Sequence, residues 1–198
     1  MQKIKTTGIN FVVLIIIQSI TIMASAKTEE QKYSVVYSEK DFEIRFYPSA
    51  TLATVYSDAK SYKELSGPGF RKLAGYIFGG NESDTRISMT SPVHMDINNS
   101  ESAMSFVMPS SFNERKLPKP DDSNVIIHKT ADEYVAAIRF GGYASDADIK
   151  SYSEKLKELL IKKGITWYGH FRFLGYNPPF QPFGRRNEII VSVNWEKK

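Results

Sequence analysis

Three histidines, His94, His128 and His170, are the chain's only imidazoles, and no two of them stand four residues apart on a common helix face. That spacing leaves out the paired-histidine zinc motif. There is no cysteine, so thiol nucleophiles, disulfides and a lipid-bearing cysteine are excluded as well. His94 stands beside Met95 and is the best single candidate for an iron ligand, since imidazole nitrogen and thioether sulfur both suit that metal. Met89, Met95, Met104 and Met108 fall within one short stretch. A soft sulfur cluster of this kind suits Cu(I) or heme iron, but methionine is also an efficient filler of irregular cores. Met104 and Met108 share a strand parity, which favours the core. Arg185 and Arg186 form the other notable pair. Neighbours in an extended chain point to opposite faces, so one is expected to pair with Glu188 or bind loop carbonyls. The other would meet solvent or an anionic ligand. There is no Gly-x-Ser-x-Gly elbow, phosphate loop or metal quartet, and the chain is not expected to be an enzyme.

These residues need elements to position them. Alternating apolar residues predict strands over 33–37, 42–47, 52–56, 86–89, 93–97 and 103–109, then 125–128, 134–140, 167–176 and 188–195. Phe70, Leu73, Ala74 and Ile77 stand at i, i+3, i+4 and i+7, an apolar stripe on one helix face. Gly67-Pro68-Gly69 is expected to kink or start that helix, and Gly79-Gly80-Asn81 to stop it. A second helix begins at the N-cap Ser145, with Asp148 three residues on. It carries Ile149, Tyr152, Leu156, Leu159 and Leu160 on one face and ends at Gly164. Strand-helix-strand-strand thus occurs twice, which predicts an α+β fold: an antiparallel sheet or distorted barrel carrying two helices. Residues 175–189 form a loop rich in proline and glycine that feeds directly into the last strand. A loop this long within a compact domain is usually functional or pinned.

The ends and the charge set the context. Residues 1–26 have a basic start at Lys3 and Lys5, an apolar run and the small-residue end Ala24-Ser25-Ala26, the layout of a secretory signal peptide. Residues 27–32 read as a linker and 33–196 as the domain, placed in a periplasmic or extracellular space with no stable membrane insertion after cleavage. The chain has 198 residues, 41% of them hydrophobic and 13% aromatic, enough for a sizeable core. Of its 26 basic residues, Lys3 and Lys5 belong to the leader, which leaves +2 against 22 acidic residues. A near-balanced chain is a poor partner for nucleic acid, and a monomer is expected.

Several stretches read together: DFEIRFYPSATLATV (41–55), FRKLAGYIFGGN (70–81), ISMTSPV (87–93), MSFVMPS (104–110), LPKPDD (117–122), IRFGGYASDADI (138–149) and GYNPPFQPFGRRNEI (175–189). Their wording and order resemble the SOUL/heme-binding protein family across 33–195. The resemblance implies a distorted antiparallel β-barrel flanked by two helices, with a pseudo-twofold repeat. It also implies heme or a related tetrapyrrole bound in an apolar groove beside the first helix. On that helix Phe70, Leu73, Ala74 and Ile77 would supply the wall. Arg71, Lys72, Arg185 and Arg186 are the cations available to the propionates. Some members of the family carry a histidine proposed as iron ligand where this chain has Phe46, which cannot ligate. Two positions that are basic in other members correspond here to Gly67 and Gln181.

The leading expectation is therefore a secreted or periplasmic binding protein for heme or porphyrin. The first alternative is a module for another flat hydrophobic small molecule or a peptide, using the same groove. The second is a small-molecule enzyme built on this fold.

Overall fold

A computed structural model describes residues 28–112 and 116–196. The expected leader lies outside the described residues. Eleven strands and two helices follow in order: β1 (Glu29–Glu30), β2 (Ser34–Ser38), β3 (Glu43–Tyr47), β4 (Thr51–Ser57), α1 (Tyr62–Ile77), β5 (Thr90–Ser91), β6 (Val93–Asp96), β7 (Ser102–Val107), β8 (Ile126–Lys129), β9 (Glu133–Phe140), α2 (Asp146–Lys163), β10 (Trp167–Gly175) and β11 (Asn187–Val193). No helix among the described residues is long and apolar enough to cross a membrane.

Nine strands form one antiparallel sheet in the order β2-β3-β9-β11-β10-β6-β7-β4-β8. The expected barrel closure is absent: β2 and β8 are the two edges, and no described pairing joins them. Strand alternation told which residues share a face, but closure depends on edge geometry that alternation does not encode. Each helix lies between strands of its own half. The unit β4-α1-β6-β7 lines up as β4-β7-β6, and β9-α2-β10-β11 lines up as β9-β11-β10. The two units meet where β6 pairs with β10.

Both helices contribute to a single main core on one face of the sheet. Ile44, Ala53, Val55, Met95, Met104, Phe106, Ala136, Ile138, Phe173, Ile189 and Val191 point into it from the strands. Leu65, Leu73 and Ile77 enter from α1, and Leu156 and Leu160 from α2. Met104 and Met108 are buried there, as their parity suggested.

Helix α1 begins at Tyr62, ahead of Gly67-Pro68-Gly69, because Ser61 caps it by accepting from the Glu64 amide at 3.2 Å. Pro68 lies inside the helix. The helix ends where Gly80 passes so close to the Gly75 carbonyl that an added Cβ would sit 2.8 Å from its oxygen. Asn81, almost fully buried, then binds the Tyr76 and Thr85 carbonyls and the Thr85 amide. Helix α2 carries the expected capping box between Ser145 and Asp148, and Gly164 closes it in the left-handed region at φ 67°.

Two expectations need correcting. Residues 86–89 join no strand, the Ile87 amide instead donating to the Ile77 carbonyl at 2.8 Å, and the pairing falls on the two residues after them, Thr90–Ser91. The segment read as a linker, 27–32, is partly strand. Glu29 and Glu30 pair parallel with Thr90 and Ser91, and the Gln31 amide reaches the Ser91 carbonyl at 2.8 Å. A two-residue strand is too short to show a period.

This N-terminal strap packs on the sheet's rear, the face turned away from the helices. A second, smaller core lies there: Tyr47, Val135, Ala137, Leu174 and Ile190, with Tyr33 and Tyr176 packed against it.

Candidate ligand-binding groove

On the rear face the strongest electrostatic feature is built around Glu188, which has no exposed surface. Arg45 approaches it with both terminal nitrogens, at 2.6 and 3.2 Å. Arg186 donates from Nε at 2.9 Å and Tyr176 from its hydroxyl at 2.8 Å. Outer carboxylates complete the set, Glu43 on Arg45 at 2.8 Å and Glu30 on Arg186 at 2.5 Å. Both guanidinium groups also lie over rings, Arg45 over Tyr33 at 4.3 Å and Arg186 over Tyr176 at 3.7 Å. Burial alone would push the Glu188 carboxyl up. The hydrogen bonds and charge of Arg45, with the charge of Arg186, overrule it and hold the group below the usual carboxylate range. Both carboxylate oxygens of Glu188 are engaged by protein donors, each twice.

The expected site residues separate into three groups. Leu73 and Ile77 are buried in the main core, and Ala74 is 8% exposed. Leu73, Ala74 and Ile77 therefore face the core, because this side of α1 packs on β4 and β7. Phe70 is half-buried and meets Phe106 edge-on at 5.3 Å, while Arg71 is exposed. Arg185 is a loop anchor. Its Nη1 donates to the Pro178 and Gln181 carbonyls at 2.7 and 2.9 Å, its Nη2 reaches Asn177, and its guanidinium lies 4.3 Å over Tyr143. Those donors are already spent on the loop.

His94 is also displaced from its expected role. It lies on the rear face, since its neighbour Met95 points to the helices, and its Nε2 pairs with Gln31 Oε1 of the strap at 2.7 Å. Burial, helped by Arg172, lowers its pKa to about 3 and keeps the ring neutral. His128 is likewise engaged, with Thr54 at 2.9 Å. Among the described residues no group of three or more histidines or carboxylates is placed to hold a metal ion.

Two clefts remain. One, of about 490 Å³, lies at the base of the proline-rich loop between Arg139, Phe140, Gly141 and 184–186. Three of its six lining residues are arginines, and Phe140 is its one large apolar side chain. The other, of about 460 Å³, opens between the starts of the two helices. Met95 of β6, Ile97 just past its end, and Phe171 and Phe173 of β10 form its floor, and α2 adds Ile149. Lys60, Lys150 and His170 stand on its rim. The helix starts are tied together, because the Tyr62 amide donates to Asp146 Oδ1 at 2.5 Å and the Tyr62 ring meets Phe173 at 5.4 Å. The groove therefore sits where the two strand-helix units join.

A bulge shapes its floor. The register between β10 and β11 slips between Tyr168 and Arg172, with Gly169 at φ 71°. Gly169, His170 and Phe171 oppose Val191 alone, and these two extra residues interrupt the ladder; Gly169, His170, Phe171 and Phe173 all line the same cleft. Sequence reasoning missed this groove. The available signal was Gly169 inside an otherwise bulky strand, a common mark of a bulge.

With the geometry in hand, comparison with known proteins assigns a family. The model for the SOUL heme-binding protein matches residues 28–192. The chain belongs to the SOUL heme-binding protein family. Heme-binding protein 1 of Xenopus laevis is 30% identical over 166 residues, spanning 79% of this chain and 87% of that protein. Heme-binding protein 2 of Mus musculus is 29% identical over 156 residues, spanning 75% of this chain and 76% of the relative. Among solved structures, the C-terminal domain of EcmrR superposes with a TM-score of 0.61 at 9% identity, covering 80% of this chain and 98% of that one. That likeness shows a shared fold.

The groove residues fit a tetrapyrrole. An apolar floor suits the macrocycle face, and two lysines on the rim suit carboxylate side groups. Phe46, half-buried against Tyr134 at 5.1 Å, brings no ligand atom to any iron.

Proposed function

We propose that this protein binds heme or a related tetrapyrrole in the groove between the helix starts, as a carrier and not as a catalyst. The observation that carries the reading is the pairing of an apolar floor (Met95, Ile97, Phe171, Phe173) with Lys60 and Lys150 at the rim. Both lysines are exposed, and Lys60 already reaches across to the Asn99 carbonyl at 2.8 Å. A bound macrocycle would place its faces on the floor and its propionates near these ammonium groups. Family membership supports the ligand class, and the relatives named heme-binding proteins agree with it.

We read the two strand-helix units as a pseudo-twofold repeat whose junction forms the groove. A macrocycle with near-symmetric faces suits such a junction. The secretory layout of residues 1–26 supports a periplasmic or extracellular carrier.

Titration with hemin and with iron-free protoporphyrin tests the reading. Saturable one-to-one quenching of tryptophan emission is expected, weakened by Ile97→Trp, which fills the floor, and by the Lys60→Glu, Lys150→Glu pair. Binding no stronger than that of an unrelated protein would sink the reading. A second reading follows from Phe180 and Phe183, which are 83% and 84% exposed on the proline-rich loop. Apolar side chains held this openly suit a different hydrophobic ligand or a peptide. A compound that raises the melting temperature when hemin does not would favour it.

A further inference from the structure

We propose that the proline-rich loop docks this protein onto a phospholipid surface, with the Phe180 and Phe183 rings entering the interface. Both rings are more than four-fifths exposed, and neither lines the groove. The Tyr143 ring stands out beside them, and its hydroxyl donates to the Pro179 carbonyl at 3.2 Å. Residues 177–184 contain no ionisable side chain, and Tyr143 is the only one in 141–145. A protruding apolar patch of this kind marks a contact with lipid or protein. The role is independent of the tetrapyrrole reading.

The loop is pinned from within. Arg185 donates to the Asn177, Pro178 and Gln181 carbonyls. The Gln181 amide donates to the Pro178 carbonyl at 3.2 Å, and its side chain to the Phe183 carbonyl at 3.0 Å. The Arg186 amide donates to Asn177 Oδ1 at 2.6 Å. A loop ordered in advance loses little conformational freedom on docking.

Area favours lipid over protein. Aromatic side chains bury about 150–250 Å² each, so the three rings offer roughly 350–550 Å² at their present exposure. A stable protein interface takes about 800 Å² from each partner. Lipid sets no such floor, since aromatic rings enter the headgroup boundary singly. Charge agrees with this. The exposed Arg139 lines the cleft at the base of the loop with Arg185 and Arg186, where anionic headgroups would lie. The carboxylates at the adjoining start of α2 are engaged, Asp146 by the Tyr62 amide and Asp148 by Ser145.

The test mixes the full chain with vesicles of phosphatidylglycerol and brominated phosphatidylcholine, whose bromine quenches tryptophan. The apolar run within residues 1–26 can itself hold the chain near lipid, so the readout is local to the loop. Phe183→Trp carries the reporter, and Phe78→Trp, exposed at the far end of α1, is the control. Quenching and a blue shift are expected at position 183, above the background of Trp167 and Trp195 in the parent, and neither at position 78. Adding Phe180→Ser should weaken the lipid affinity read this way about tenfold or more, the worth of one buried phenylalanine. All three positions are exposed, so the fold should survive each change. Equal quenching at 183 and 78, or none at either, overturns the inference. Self-association of the parent in sedimentation, lost in the Phe180→Ser, Phe183→Ser double variant and with no lipid quenching at position 183, overturns it in favour of a contact between copies of the chain.

Discussion

Glu188 holds a charge with no exposed surface, and two guanidinium groups depend on it. Removing one member of a buried pair leaves the other as an unpaired buried charge, which costs about 3–5 kcal/mol. Glu188→Ala should destabilise the fold by that amount in urea unfolding. Its pH dependence has a definite sign. The folded pKa lies below the unfolded value of about 4.3, so the stabilisation is complete above that pH and is lost as pH falls through the folded value. His94 adds a second acid-sensitive contribution in a different window. Its folded pKa of about 3 lies below an unfolded value of about 6.5. The unfolded chain binds the proton first, and stability declines as pH falls from about 6.5. His94→Gln should flatten the slope between about pH 6.5 and 5 while leaving the steeper loss below about pH 4.3 in place. An unchanged slope in that upper window would show that His94 is not the group responsible.

At the scale of elements, close approach decides what can be changed. Gly80→Ala would place a methyl group 2.8 Å from the Gly75 carbonyl oxygen. Backbone atoms cannot step aside as a side-chain tip can, so a loss of about 1–3 kcal/mol is expected on the scale of overpacking. Equilibrium unfolding of the variant measures it. The elements were legible to different degrees for physical reasons. Ser145 and Asp148 announced the start of α2 because capping chemistry is local. The α1 stripe announced a buried face, but period alone does not say whether core or ligand covers it. Leu73 and Ile77 proved to be core. Pro68 suggested a boundary, yet the Ser61 cap starts the helix ahead of it. Arg45 is almost fully buried on the rear of β3, and nothing local revealed that the strap and Glu188 would cover it. The groove was the least visible feature. Met95 and Ile97 come from one unit, Phe171 and Phe173 from the other, and the bulge breaks the alternation that would have linked His170 to them.

At the scale of the molecule, the sheet has two unlike faces. Both helices and the main core occupy the front. A strap five residues long, 29–33, covers the rear through Gln31 to His94, Glu30 to Arg186 and Tyr33 against Tyr47. Deleting residues 28–33 removes these contacts together and leaves Tyr47 and the Arg186 guanidinium uncovered. The shortened chain should melt at lower temperature and bind an apolar dye that the parent does not. Hemin binding should survive where the shortened chain remains folded, since the groove opens on the opposite face.

The place of β11 in the sheet bears on the order of assembly. It is the last strand in the chain, yet it lies between β9 and β10, so the hydrogen-bonded ladder from β2 to β8 runs through it. Without it the strands fall into two separate sheets, β2-β3-β9 and β10-β6-β7-β4-β8. Arg45 must wait for Glu188, which is 143 residues further along the chain. Until the final strand arrives, a growing chain holds two half-sheets with open edges, and Arg45 lacks its Glu188 partner. Ribosomal stalling or proteolysis just before Asn187 would therefore release a product prone to pair with its own copies, although most of the sequence is present.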